Sequence, residues 1–239
     1  MSFSQNHIHR IFEQAAPHYD LTNDIMSGSF HRLWKAQFVN SLPRLQNATW
    51  VDVGAGTGDI AHRLYHAHHA YSPTIIACEP NQKMRAIGQR TSIQKGILNI
   101  QWCANDALNL PLEPQMANGM LFSFSLRNIE DCTQALSTAY QCTRMNGTIH
   151  IMEFNAQAHL ENPLIHYYQN YLVPKLGRWF ASQEPYDYLV NSIQSFASPH
   201  EITKQLASAG WKNITQHNIG AHAVTILSLI HISEPTRPY

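Results

Sequence analysis

The chain predicts an α/β fold: a doubly wound, mostly parallel seven-stranded sheet, with N-terminal helices and a helical insertion before a closing hairpin. Three observations carry this. Between Trp50 and Phe154 short apolar runs alternate with helical patterns, the signature of β-α-β units. The first run, Val51-Asp52-Val53, ends in Gly54-Ala55-Gly56-Thr57-Gly58-Asp59, with three glycines at alternate positions feeding straight into a helical segment. Lys212 to Ile226 then reads as a hairpin after the last helix. Right-handed crossovers place the ligand of such a sheet at the carboxyl ends of its strands.

In order, Gln5 to Ser41 is helical and dense in aromatics and His, giving a cap over about residues 5–45. The core, about 49–156, has strands at Thr49–Val53, Thr74–Cys78, Leu98–Ala104, Gly119–Ser123 and Thr148–Phe154, the fourth less typical because of its Gly. Helices are predicted at Asp59–His69, Asn81–Gln94 and Ala135–Thr143. The insertion, about 160–197, holds Tyr167, Tyr168, Tyr171, Trp179, Phe180, Tyr186 and Tyr188 between Pro163 and Ala197. It reads either as a cap forming an apolar pocket or as amphipathic helices covering a sheet face. A helix at His200–Gly210 and the hairpin close a single domain over 1–226. The stretch Leu227 to Arg237 has no continuity with this pattern and resembles the translation of a sequencing-library transposase adapter. Residues 227–239 are therefore expected to be a non-native tail.

With 16 basic and 16 acidic residues the formal net charge is zero, which leaves no electrostatic footprint for nucleic acid. The 15 His make the protein cationic below about pH 6. Cys78, Cys103, Cys132 and Cys142 form no C-x-x-C pair, and no run approaches the roughly 18 apolar residues of a membrane span, so the chain reads as a soluble intracellular protein with reduced thiols. His62 and His66 are i,i+4, a spacing that can bind zinc, but no Glu or Cys completes a site. They read as a solvated polar helix face, and no metal is expected.

Gly54, Gly56 and Gly58 let the backbone turn sharply and approach a ligand, which meets the amides and positive dipole end of the next helix. This is a nucleotide-type cofactor loop. Its G-x-G-x-G spacing departs from the dinucleotide G-x-G-x-x-G, which disfavours hydride transfer. It resembles instead motif I of class I methyltransferases, which bind S-adenosylmethionine. Such a loop needs an acid at the end of the second strand for the ribose hydroxyls, and Glu79 stands 22 positions after Thr57. Asn105-Asp106 follows the third strand, where an Asp can accept from the adenine amino group; the pair equally suits a turn or N-cap. Ser123-Phe124-Ser125-Leu126-Arg127-Asn128 leaves the fourth strand at the sheet's switch point, where an Arg is costly to desolvate unless it meets an anion or acceptor.

Four segments in register carry a more specific resemblance: Tyr19-Asp20-Leu21-Thr22-Asn23-Asp24-Ile25-Met26-Ser27 continuing through His31-Arg32-Leu33-Trp34-Lys35; Ser123 to Asn128; Met152-Glu153-Phe154; and Tyr186-Asp187-Tyr188-Leu189 with Ser192-Ile193. From about Phe12 to Ile226 the chain is similar to the ubiquinone/menaquinone biosynthesis C-methyltransferase family. The resemblance implies methyl transfer from S-adenosylmethionine to a ring carbon of a polyprenylated benzoquinol or naphthoquinol. It puts Thr57, Glu79, Asn105, Asp106 and Ser123 on cofactor-contacting positions, and Arg127 and Asn128 on positions facing the quinol. Arg127 would stabilise a developing phenolate or orient a water that takes the proton, since guanidinium is a poor base; Tyr19 would assist through its hydroxyl. The chain departs from the family at Thr22 (commonly Met), Glu79 (commonly Asp), Ser125 (a Gly) and Gln141 to Gly147, where an R-V-L-K-P-G-G turn is usual. Asn146 can adopt the left-handed conformation that turn needs.

The expectation is a cytoplasmic enzyme, peripheral at the inner membrane because its quinol substrate is lipidic, with Pro163 to Ala197 walling the groove for the tail. A homodimer or a quinone-biosynthesis complex is its expected assembly. The alternatives are a methyltransferase for another small phenolic acceptor and a non-catalytic subunit of a quinone-biosynthesis complex.

Overall fold

The computed structural model describes residues 5–16, 24, 27–155, 183–220 and 222–231. Tyr19, Thr22, the aromatics Tyr167 to Phe180 and residues 232–239 lie outside the described residues; of Tyr186 only the backbone is described. The strands are β1 (Thr49–Val53), β2 (Thr74–Cys78), β3 (Ile100–Cys103), β4 (Ala117–Ser123), β5 (Thr143–Phe154), β6 (Lys212–Ile219) and β7 (Val224–Ile230). They form one seven-stranded sheet in the order β3-β2-β1-β4-β5-β7-β6. β1 to β5 run parallel, and β7 returns antiparallel between β5 and β6. The order reverses between β1 and β4, so the glycine loop after β1 opens at the switch point.

The described helices are α1 (Gln5–Ala15), α2 (Phe30–Asn40), α3 (Asp59–His68), α4 (Gln82–Gln94), α5 (Cys132–Cys142), α6 (Gln183–Ser195) and α7 (Pro199–Ser208). Their starts follow the capping chemistry: the Asn81 side chain accepts from Lys83 N and Met84 N, Asp131 accepts from Gln134 N, and Ser198 and Glu201 form a reciprocal capping box ahead of α7. One sheet face packs Phe38 and Val39 of α2 and Ile60, Ala61 and Leu64 of α3. The other packs Ala135, Leu136 and Ala139 of α5, Ile202 and Leu206 of α7, and Trp211. Both faces being covered, β1, β2 and β4 are apolar on both sides rather than alternating.

Several expectations are corrected. β3 is shorter than predicted because Leu98 sits outside the sheet, 77% exposed. β5 starts at Thr143 rather than Thr148: Thr143 pairs with Ala117, and the register shift before Gly119 absorbs the turn, with Asn146 left-handed at φ 61° as expected. The glycine that made β4 look atypical is steric, since a Cβ on Gly119 would lie 2.2 Å from the Trp50 ring. His62 is not on a solvated face: its Nε2 lies 2.8 Å from Ser92 Oγ and the ring is buried, as is that of His68, while His66 and His69 are exposed. β7 also runs past the predicted limit at Ile226. Leu227 and Leu229 enter the core beside Ile149 and Ile151, and His231 N donates to Gly147 O at 2.8 Å. Along this extension burial alternates, with Leu227 and Leu229 buried, Ser228 half-buried and Ile230 exposed, so one face of the strand joins the core whatever the origin of the segment.

Candidate active site

The loop after β1 is left-handed at all three glycines, with φ of 71°, 59° and 84° at Gly54, Gly56 and Gly58. Side chains rarely adopt that conformation, which explains the alternate-glycine spacing. Close packing adds a second requirement: a Cβ on Gly54 would lie 2.6 Å from Ser125 Cβ, and one on Gly58 2.7 Å from the Trp102 ring. A Cβ on Gly56, by contrast, would meet only the Met84 methyl at 3.5 Å. Gly58 is the N-cap of α3, and Thr57 beside it is buried.

The loop hangs on the end of β2. Gly54 N and Ala55 N both donate to Cys78 O, at 2.9 and 3.0 Å. Glu79, 8% exposed, takes Gly56 N on Oε2 at 2.7 Å and Asn81 N on Oε1 at 2.8 Å. The predicted ribose acid therefore also clamps the loop.

After β3 the Asn105 and Asp106 side chains make local hydrogen bonds. Asp106 Oδ1 accepts Leu108 N at 3.0 Å and Asn109 N at 2.9 Å, and Asn105 Nδ2 donates to Asn109 O at 2.7 Å. The two side chains thus build the turn at the carboxyl edge of β3. Glu79 N donates to Cys103 O at 3.1 Å, which holds this end of β3 beside the β2 loop.

The end of β4 is the most constrained part. Ser123 Oγ is buried with no hydrogen-bond partner among the described residues. Phe124 is left-handed at φ 55°, a conformation costing of order 1–2 kcal/mol for a non-glycine residue. It turns its carbonyl to accept Arg127 Nη1 at 2.7 Å and Asn128 Nδ2 at 3.4 Å. Ser125, where the resembled family has Gly, is at φ −110° and donates its hydroxyl to Val53 O at 2.7 Å, tying this loop to β1. Leu126 to Asn128 form one 3-10 turn.

Arg127 Nη1 also meets Glu153 Oε1 at 2.7 Å, both side chains being 6% exposed. The guanidinium lies over the Phe154 ring at 5.2 Å and the Phe124 ring at 5.9 Å. Its buried Nε has no acceptor among the described residues. Asn128 Oδ1 accepts the Tyr188 hydroxyl at 2.7 Å, so α6 reaches the loop; Phe12 of α1 packs edge-on against the same Tyr188 ring at 6.1 Å.

Behind the glycines sits a half-buried charge group. Lys35 Nζ and Arg63 Nε bind the two oxygens of Asp59, at 3.0 and 2.8 Å. Burial alone would raise the Asp59 carboxyl, but Lys35 and Arg63 win and hold it at about 2. Burial wins at Asp52 in β1, which is pushed up to about 7 despite Lys35. Its Oδ2 has no partner among the described residues.

The structure gathers Gly54, Gly56, Thr57, Gly58 and Glu79 into one cradle, with Ser123, Arg127 and Asn128 leaving the adjacent β4. Asn105 and Asp106 stand at the β3 edge, and Tyr19 lies outside the described residues. Sequence reasoning assigned no role to Glu153, Tyr188, Asp52 or the Lys35–Asp59 pair. Asp52 was the legible one, as an acid inside an otherwise apolar strand.

The parallel sheet with its antiparallel closing pair, and the glycine loop at the switch point, define a Rossmann-like methyltransferase fold. Among solved structures, a SAM-dependent methyltransferase from Thermotoga maritima superposes with a TM-score of 0.64 at 17% identity, covering 93% of this chain and 98% of that one. One from Aquifex aeolicus gives 0.63 at 12% identity, covering 97% and 100%. The chain belongs to the ubiE/COQ5 methyltransferase family, whose model matches residues 1–231. It is 31% identical over 221 residues to the ubiquinone/menaquinone biosynthesis C-methyltransferase UbiE of Zymomonas mobilis, covering 91% of this chain and 89% of that protein. It is 27% identical over 255 residues to the mitochondrial 2-methoxy-6-polyprenyl-1,4-benzoquinol methylase of Leishmania donovani, covering 100% and 86%. Among the described residues no helix is long and apolar enough to cross a membrane.

Proposed function

We propose that this protein transfers the methyl group of S-adenosylmethionine to a ring carbon of a polyprenylated benzoquinol or naphthoquinol. The cradle suits that cofactor: left-handed glycines at the start of α3, the Glu79 carboxylate for a ribose diol, and the buried Ser123 hydroxyl, which has no partner among the described residues. Thr57, Asn105 and Asp106 would complete its surroundings. The sulfonium methyl is supplied already activated, so the protein's share is orientation and the fate of the acceptor's proton.

The observation that carries the reading is the fixed Arg127. Locked between Phe124 O and Glu153 and flanked by two aromatic rings, its guanidinium is held in the loop whose Ser125 packs against Gly54 of the cofactor loop. A quinol carbon gains nucleophilicity as its neighbouring hydroxyl loses a proton, and a preorganised cation stabilises the phenolate that develops. Asn128, oriented by Tyr188, would hydrogen-bond a ring oxygen, with Tyr19 assisting. The site lies at the carboxyl ends of β4 and β5, where Trp34, Phe124 and Phe154 form an aromatic wall suited to an apolar ring. Because the prenyl tail is lipidic, the enzyme would work at a membrane surface, with the segment around Pro163 to Ala197 walling the tail, as a homodimer or within a biosynthetic complex.

Quinone profiling of a strain lacking the gene tests this. A demethylated quinone should accumulate and disappear on complementation; an unchanged quinone pool would sink the proposal.

A further inference from the structure

Cys78 and Cys103 are 25 residues apart in sequence, yet they are register partners at the ends of the parallel strands β2 and β3. Their sulfur atoms stand 3.0 Å apart. β3 is the edge of the sheet, and Cys103 is half-buried while Cys78 is fully buried. Cys103 is therefore the more accessible residue of the two, with the Cys78 sulfur in contact with its own. The same two residues carry the cofactor cradle: Cys78 O holds Gly54 N and Ala55 N, and Cys103 O holds Glu79 N.

We propose that Cys78 and Cys103 form a site of reversible oxidation, whose disulfide disables the cofactor cradle. The inference about the cradle rests on the cofactor reading above. The oxidant is a hydroperoxide. The Cys103 thiolate attacks one peroxide oxygen, the O–O bond breaks, and the distal oxygen leaves as hydroxide or alkoxide, which takes up the proton given up by the Cys103 thiol to become water or an alcohol; a sulfenic acid remains. The Cys78 sulfur then attacks that sulfenic sulfur, forming the S–S bond; hydroxide leaves and takes up the Cys78 proton as water. In sum the dithiol gives up two electrons and two protons, and the peroxide is reduced.

The local chemistry favours Cys103 as the attacking sulfur. The hydrogen bond between the two thiols, with help from Asn105 N and the Arg85 charge, outweighs burial and lowers the Cys103 thiol. The same pairing, together with burial, pushes the Cys78 thiol upward. Closing the bond draws the sulfurs from 3.0 Å to about 2.05 Å. That movement falls on the two strand ends whose carbonyls position Gly54, Ala55 and Glu79. Sequence spacing does not reveal the pair, because it depends on sheet register.

The test titrates the purified chain with hydrogen peroxide, then blocks free thiols and digests with trypsin. Cleavage separates residues 64–83, holding Cys78, from residues 96–127, holding Cys103, and leaves Cys132 and Cys142 together on residues 128–144. A linked 64–83/96–127 species, lighter by two hydrogens than its parts, is expected, and dithiothreitol should release it. In parallel, calorimetry should find S-adenosylmethionine binding at least about tenfold weaker after oxidation and restored by reduction. Whatever its starting affinity, Cys103→Ser should show the same binding before and after the same peroxide exposure. Absence of the linked species, sulfinic acid at Cys103 without linkage, unchanged binding in the linked protein, or equal loss in Cys103→Ser would each overturn the proposal. If reduced protein binds no S-adenosylmethionine, the cofactor reading fails, and the peptide map still decides the cysteine site.

Discussion

Arg127 and Glu153 form a buried ion pair, Nη1 to Oε1 at 2.7 Å, that bolts the loop after β4 to the end of β5. Neither charge has water to fall back on, so each depends on the other. Removing one partner of such a pair costs about 3–5 kcal/mol, whereas removing both costs far less than the sum. Urea unfolding of Glu153→Ala, Arg127→Ala and the double variant should return a coupling of that sign. Arg127→Ala should also lower methyl-transfer turnover by about two to three orders of magnitude while leaving cofactor affinity nearly unchanged. Equal turnover would contradict its role.

Tyr188 donates to Asn128 Oδ1 at 2.7 Å from a helix outside the sheet. Tyr188→Phe removes that one bond, worth about 1 kcal/mol, and keeps the packing against Phe12. Acceptor KM should rise severalfold, with calorimetry of S-adenosylmethionine unaltered. A change confined to cofactor binding would place Tyr188 elsewhere in the chemistry.

Gly54 tolerates no side chain. Gly54→Ala combines φ 71° with a 2.6 Å approach to Ser125 Cβ, so the loop must move. S-adenosylmethionine binding should fall by more than about tenfold, the equivalent of 1.4 kcal/mol. Glu79→Ala should weaken it as well, by removing both the carboxylate and the clamp on Gly56 N. Isothermal titration of the two variants reads this directly.

Burial holds His31, His62 and His150 neutral, each drawn from 6.5 to about 4. Their folded values lie below the unfolded one, so the unfolded chain takes protons first. Stability is intact above about pH 6.5 and is lost as the pH falls towards 4. His150→Gln keeps partners within reach of Ser228 and Thr148 and should flatten that loss by about 2 kcal/mol at pH 5. Asp52 has the opposite sign. Burial lifts it to about 7, so its contribution is present at acid pH and is lost as the pH rises from about 4 to 7. Asp52→Asn should therefore gain stability at pH 8, and urea midpoints from pH 4.5 to 8 test both variants.

Strand positions and the glycine turn were legible because they rest on local rules. Apolar runs bounded by glycine locate β1, β2 and β4, and the alternate glycines require left-handed backbone. What escaped prediction depends on pairing across the sheet. The Arg127–Glu153 contact joins residues 26 apart through β4–β5 register. His62 was read as a surface residue because helical spacing alone does not say that Ser92 and Trp102 cover it. The extension of β7 to Ile230 was missed because a resemblance to adapter sequence carries no information about strand formation. For Asp106 the turn and ligand readings share one geometry, and hydrogen bonds to Leu108 and Asn109 account for its side chain in the protein alone.

The most direct test of the central claim is a methyl-transfer reaction with purified protein, S-adenosylmethionine carrying a labelled methyl group, and reduced short-chain benzoquinol and naphthoquinol acceptors lacking the ring methyl. Label should appear on a ring carbon of at least one acceptor, and Arg127→Ala should abolish most of it. Label on oxygen, or none on either acceptor with a cofactor-bound protein, would contradict the account.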